Sequence, residues 1–226
     1  MLKLCRTIVM PLLGLAVQIA TCASAVAQST GELPPLMDRE KEIALALSAC
    51  PPAVASKAAV YVLEKSGYVK VRNSQNGFTA IVQHALPTSQ DPRCMDAEGT
   101  RTQLPRILKI AELRAQGKTR EEIQRFVAKA FAKGLFQPAA RAGVDYMLST
   151  ENLAPNEKGV AVPFPPHVMI YAPYLTNADI GVDKTDLGED GNPKGPVFVA
   201  SEGTPSALLI IPVPVGPAAH RHATSQ

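Results

Sequence analysis

The stretch from Leu104 to Gly134 constrains this chain most. Leu104, Ile107, Leu108 and Ala111 repeat at i, i+3, i+4 and i+7, the spacing of one helix face. Gly117 ends that helix. Thr119 and Glu122 form a capping box at the start of the next, where hydroxyl and carboxylate each satisfy a backbone donor that the first turn leaves open. Ile123, Phe126, Val127, Ala130 and Phe131 continue at helical spacing, and Gly134 closes the second helix. The hairpin leaves strand-like sequence on both sides of it.

On the N-terminal side, Asp38 caps a helix running to about Ala49, with Ile43, Leu45, Ala46 and Leu47 available for burial and Pro51 and Pro52 to stop it. Ala59–Leu63, Tyr68–Val71 and Phe78–Gln83 follow as strands, separated by turn signals at Lys65-Ser66-Gly67 and Asn76-Gly77. The simplest arrangement is an antiparallel three-strand meander. Pro87 to Thr102, with Pro92, Cys94 and Gly99, reads as a loop. Beyond the hairpin, Val144–Leu148, His167–Tyr171, Val197–Ala200 and Ala207–Ile211 are strand candidates, the last meeting Pro212 and Pro214 at a strand end or sheet edge. The pattern predicts an α+β fold: an antiparallel sheet of about six to seven strands, a central helical hairpin and one N-terminal helix.

The chain opens with Lys3 and Arg6, an apolar run from Thr7 to Ala20, and the small residues Ala25-Val26-Ala27. That order is the order of a secretory signal peptide, with Gln28 as the first mature residue. The run holds Pro11 and Gly14 and is shorter than the roughly 20 apolar residues of a spanning helix, so no stable membrane anchor is expected. Lipidation at Cys22 is the rival, disfavoured by Thr21 before it. The expected organisation is a signal peptide over 1–27, a flexible leader over 28–35, a single α+β domain over 36–216 and a loose tail over 217–226. The location expected is periplasmic or extracellular.

Cleavage leaves Cys50 and Cys94. In an oxidising compartment such a pair closes into a disulfide, and no Cys-x-x-Cys spacing supports a redox or metal role. Cleavage also reduces the net charge from +3 by the two basic residues of the signal, so the mature chain is nearly neutral and is no global polyanion binder. Charge is uneven, however. Arg101 to Arg141 carries ten basic and three acidic side chains, whereas Tyr174 to Glu202 carries six acidic and two basic. Arg106, Lys109, Arg114, Arg125, Lys129 and Lys133 could meet an anionic envelope component, or form a plain solvated surface. Few aromatics, no tryptophan and an export signal argue against nucleic acid.

Signatures of chemistry are sparse. No Gly-x-Ser-x-Gly elbow, zinc spacing, Walker loop or dinucleotide fingerprint occurs, so no cofactor is implied. His220 and His222 lie in the tail. Asp183, Asp186, Glu189 and Asp190 around Gly188 and Gly191 lack the order of a calcium loop, and no metal site is assigned. The polar cluster His167, Tyr171, Asn177 and Asp179 is the candidate ligand-binding site, with its residues otherwise serving as turn and half-buried structural groups.

Several short motifs carry a resemblance across most of the mature chain: Asn76-Gly77-Phe78, Cys94-Met95-Asp96, Leu113-Arg114-Ala115-Gln116-Gly117, Tyr146-Met147-Leu148-Ser149, Pro166-His167-Val168-Met169 and Asn177-Ala178-Asp179-Ile180-Gly181. Together they resemble an uncharacterised set of secreted bacterial proteins. The resemblance implies a bacterial exported origin and one continuous domain, and carries over no functional residue. The expected function is a non-catalytic periplasmic or extracellular binding or envelope-associated module. The alternative is a hydrolase-type enzyme using the region from His167 to Asp179.

Overall fold

The computed structural model describes residues 33–155, 160–182, 195 and 197–214. The expected signal peptide, most of the leader, the acidic loop from Asp183 to Asp190 and the tail with His220 and His222 lie outside the described residues. The fold is α+β. Among the described residues five helices, α1 (Arg39–Ser48), α2 (Pro52–Ala55), α3 (Ala97–Thr102), α4 (Leu104–Ala115) and α5 (Arg120–Ala132), accompany ten strands. The strands are β1 (Ala59–Glu64), β2 (Gly67–Arg72), β3 (Thr79–Gln83), β4 (Asp91–Met95), β5 (Val144–Met147), β6 (Leu153–Pro155), β7 (Ala161–Pro163), β8 (His167–Tyr171), β9 (Phe198–Ala200) and β10 (Leu208–Pro212). Eight of them form one sheet in the order β2-β1-β3-β4-β5-β8-β10-β9, and β6 and β7 pair separately.

Local chemistry sets the helix boundaries. The Asp38 carboxylate accepts the Lys41 N–H at 3.1 Å at the start of α1, a cap that stabilises a helix by about 1 kcal/mol. Thr119 Oγ1 accepts from Glu122 N at 3.2 Å and Glu122 Oε2 accepts from Thr119 N at 2.8 Å, so the capping box of α5 is complete. Gly117 and Gly134 stand at φ of 74° and 69° after α4 and α5, a conformation that glycine adopts without a Cβ penalty.

The sheet departs from the meander in one respect. β1 and β2 form an antiparallel hairpin, but β3 joins the opposite side of β1 in parallel, with Val60 opposite Ala80. Residues 73–78 cross the start of β1 instead of turning back on β2. Gln75 N–H donates to Lys57 O at 2.8 Å, Asn76 Nδ2 donates to Val54 O at 3.0 Å, and Ala59 N–H donates to Phe78 O at 2.8 Å. The cause is burial on both faces of β3. Ala80 and Val82 pack under α1, while Ile81 packs under α4. A strand apolar on both faces belongs inside a sheet, not at its edge.

The expected loop from Pro87 to Thr102 instead contains β4 and α3, and β4 is buried along its whole length. β4 pairs antiparallel with β3 from Thr79–Met95 to Gln83–Asp91 and with β5 at Cys94–Tyr146 and Met95–Asp145. Pro92 is tolerated because pairing with β5 begins only at Cys94. Cys94 on β4 is joined to Cys50, just past α1, by a disulfide that bridges 44 residues. Closing such a loop contributes about 4 kcal/mol in the chain-entropy account.

One face of the sheet packs against α1 through Leu45, Ala46 and Ala49. The other face packs against α4, where Leu104 and Ile107 meet Ile81 and Met95. This second face also holds a buried ion pair. Arg93 Nε donates to Asp145 Oδ2 at 2.8 Å, and Arg93 Nη1 donates to Gln83 Oε1 at 2.6 Å. Among the described residues no helix is long and apolar enough to cross a membrane.

Candidate functional site

The hairpin carries two kinds of stripe. One buries Leu104, Ile107 and Ala111 in the core. A second, one residue round the helix, runs Arg106, Ile110, Arg114 at i, i+4 and i+8, and each of these side chains is half-buried. On α5, Ile123, Val127 and Phe131 repeat at the same spacing beside Arg120 and Gln124. These two stripes face the loop after β3, at Ala85–Pro87, and the loop between β9 and β10, at Ser201 and Thr204–Ser206. They enclose a groove of about 580 Å³, within the range of small-molecule sites. A smaller cavity of about 190 Å³ lies between α4 and the sheet, lined by Leu63, Tyr68, Gln83 and His84 under Leu33 and Pro34. Ala85, Arg106, Ile110 and Arg114 line both spaces and so form their shared wall.

Both loops are tied down. Arg114 extends from α4 and donates through Nη2 to Ala85 O at 2.8 Å and through Nη1 to His84 O, fixing the first loop to the helix. Ser89 Oγ accepts the Leu86 N–H at 3.0 Å and donates to Asp91 Oδ2 at 3.1 Å, and Asp91 Oδ2 also accepts the Ala85 N–H at 3.2 Å. Burial pushes the Asp91 carboxyl up to about 6 against these hydrogen bonds. In the second loop Thr204 Oγ1 donates to Ser201 O at 2.7 Å and Tyr174 N–H donates to Thr204 O at 2.8 Å. Tyr174 and Ser201 have φ of 67° and 53°, left-handed backbone that costs a non-glycine residue on the order of 1–2 kcal/mol. Ser201 is thus a strained residue on the wall of the groove.

The electrostatics are one-sided. Arg106, Arg114 and Arg120 line the groove, and no Asp or Glu is among its described lining residues. Lys109 and Lys118, by contrast, lie against Glu112 at 2.7 Å and Glu122 at 3.3 Å outside it. Arg114 uses its donors on loop carbonyls. Burial holds its guanidinium below the usual arginine range, and the charge of Arg120 pushes the same way. Arg106 donates only through Nη2, to Gln103 Oε1 at 3.1 Å. Its Nε is buried with no hydrogen-bond partner. Burial, with the charge of Arg93, lowers it to about 10, so it stays protonated at neutral pH. Burial lowers His84, leaving its ring neutral there.

The residues expected as a ligand cluster are not gathered in a cavity. His167 and Tyr171 occupy the two ends of β8, about 13 Å apart at strand rise, and are 3% and 4% exposed. His167 Nδ1 lies 2.8 Å from Pro165 O, and Phe164 packs edge-on to the ring at 4.9 Å. Burial lowers the His167 pKa, aided by Arg93, so the imidazole is neutral. Tyr171 donates to Val144 O at 3.3 Å and lies against Gly99 so closely that a Cβ there would stand 1.8 Å from its hydroxyl. Asn177 acts as an extra piece of strand, its Oδ1 accepting Val199 N–H at 2.8 Å and its Nδ2 donating to Val199 O at 3.1 Å. Asp179 is exposed and accepts Thr176 N–H at 2.9 Å and Thr176 Oγ1–H at 2.7 Å, bonds that lower its pKa. Each of the four holds its own segment.

The face expected to be basic divides likewise. Arg106 and Arg114 turn into the groove, Lys109 lies over the Phe126 ring at 5.8 Å, and Arg125, Lys129 and Lys133 are exposed. Helical spacing alone places Ile123, Val127 and Phe131 on one face of α5 and does not distinguish Arg120 or Ile110. The stripe Arg106-Ile110-Arg114 was the available signal, since a helix position between two arginines one turn away on either side is seldom plain core. Comparison with family models, with curated proteins and with solved structures finds no match to this chain.

Proposed function

We propose that this chain is an exported, non-catalytic binding module, and that its ligand is an anionic amphiphile from the cell envelope held in the groove along α4 and α5. The observation that carries the reading is the pairing of an apolar floor, Ile110, Ile123, Val127 and Phe131, with three arginines and no carboxylate among the described lining residues. Uncompensated cations beside apolar surface favour a ligand that brings both an acid group and an apolar body. Ser201 and Ser206 from the loop between β9 and β10 line the same space, and their hydroxyls are available as further donors. The disulfide supports export, because such a bond persists where thiols are not kept reduced. The hydrolase alternative draws no support from His167, whose ring is covered by Phe164 and bonded to a backbone carbonyl.

The test is extraction of the protein from its own export compartment, followed by mass spectrometry of what elutes with organic solvent. An acidic amphiphile present in near-stoichiometric amount, and lost from Val127→Trp, which fills the groove, is the expected result. Full-length protein in the cytosol, with no ligand at any stage, overturns the reading.

A further inference from the structure

Arg106 is the one groove arginine that is both buried at its Nε and lacking a partner there. Arg114 is engaged with two loop carbonyls, and Arg120 is exposed at the start of α5. Arg106 lines both the large groove and the smaller cavity, and its Nη1, unlike its Nε, is neither hydrogen-bonded nor buried. On α4 it lies two turns, about 12 Å, from Arg114 and the hairpin turn. Because α4 and α5 run antiparallel, the apolar stripe Ile123–Val127–Phe131 extends from the Arg120 end back towards Arg106. A half-buried cation with one neutral acceptor and an orphaned, buried Nε donor is an unfavourable arrangement for a protein to hold alone.

We propose that Arg106 is the anion-binding residue of the groove: the ligand enters acid group first, seats that group on the Arg106 guanidinium, and lays a single apolar chain along Ile110, Val127 and Phe131. The ligand class is a single-chain amphiphile with a terminal acidic oxygen group, a carboxylate or a phosphate monoester. The inference rests on the groove being the ligand site. Its physical content is that the anion supplies, at the accessible Nη1, the counter-charge that the described residues around Arg106 leave out. Arg93, whose charge acts on Arg106, is already matched by Asp145, so it does not compete for the acid group. The lowered pKa of Arg106, caused by burial and Arg93, is what a bound anion would reverse.

The experiment is calorimetric titration of the purified protein with dodecanoate and dodecyl phosphate, each below its micelle concentration, against dodecanol and dodecyltrimethylammonium. Wild type is expected to bind the two acids and neither control, and the stronger of the two acids identifies the head group. Arg106→Met is expected to lose at least about 30-fold in affinity for the acids. Its ligand-free melting temperature should equal or exceed that of wild type, because an apolar side chain of similar length removes a half-buried, unpaired charge and its orphaned Nε donor. A merely structural arginine would instead lower the melting temperature on removal. Arg106→Lys keeps the charge without the guanidinium's fork of donors and should bind more weakly than wild type even if Arg106→Met does not fold. Wild-type affinity in these Arg106 variants, with binding still blocked by Val127→Trp, overturns the seating on Arg106 and leaves the groove reading standing. Acid binding unaffected by Val127→Trp, or no binding of either acid by wild type, overturns both.

Discussion

Glu42 gives the sharpest test of how this fold is held. It lies on the face of α1 that packs against the sheet, is 1% exposed, and its Oε1 accepts the Leu63 N–H at 2.8 Å. No ion pair compensates its charge among the described residues. Burial raises its pKa from 4.5 to about 7, and the hydrogen bond from Leu63 offsets only part of that rise. The native state therefore holds the proton more tightly than the unfolded chain. Below pH 4.5 the group is protonated in both states and stability is full. As pH rises from about 4.5 to about 7, the unfolded chain ionises freely while the folded one resists, so stability falls and then levels off. A shift of this size corresponds to about 3 kcal/mol, or roughly 6–12 °C in melting temperature for a domain of this size. Glu42→Gln keeps an acceptor for Leu63 N–H and removes the charge. Urea unfolding followed by circular dichroism from pH 4.5 to 8 should show wild type losing about 3 kcal/mol more than the variant over that window. Parallel curves for the two proteins would refute the account of Glu42 as a buried, uncompensated acid.

Other outcomes follow from the same core. Asp91, raised to about 6 by burial, should add a further decline between pH 3.8 and 6 that disappears in Asp91→Asn. Arg93→Met should destabilise by about 3–5 kcal/mol in urea titration because it strands the buried Asp145 carboxylate, and Arg93→Met with Asp145→Leu should recover much of the loss. Reducing Cys50–Cys94, or Cys50→Ala with Cys94→Ala, should lower stability by about 4 kcal/mol, read as an earlier urea midpoint. Gly99→Ala should cost about 1–3 kcal/mol, because its Cβ would meet the Tyr171 hydroxyl.

What the sequence determined by itself was local. The capping box of Thr119 and Glu122, the Asp38 cap and the glycines after α4 and α5 act within one or two turns, so they can be read from spacing alone, and the structure bears them out. The terminal strands β5, β8, β9 and β10 show the same legibility, since their apolar runs are short and bounded by Pro or Gly. The pairing of Cys50 with Cys94 was legible too, because with the expected signal peptide set aside two cysteines remain and each offers the other its one partner. The tertiary structure decided the rest. Asp91-Pro92-Arg93-Cys94-Met95 carries an acid, a proline and a base, and nothing local makes it a central strand. It becomes one only because Asp145 and Gln83 on neighbouring strands satisfy Arg93, and Ser89 and Ala85 satisfy Asp91. The parallel placement of β3 beside β1 is equally non-local, set by the need to bury both faces of Thr79–Val82. The groove depended on the same kind of information. Its walls join the helical hairpin to two loops, at 85–87 and 201–206, and whether Val127 or Arg106 faces core, solvent or cavity is fixed by what the fold lays opposite them, which no spacing along one helix contains.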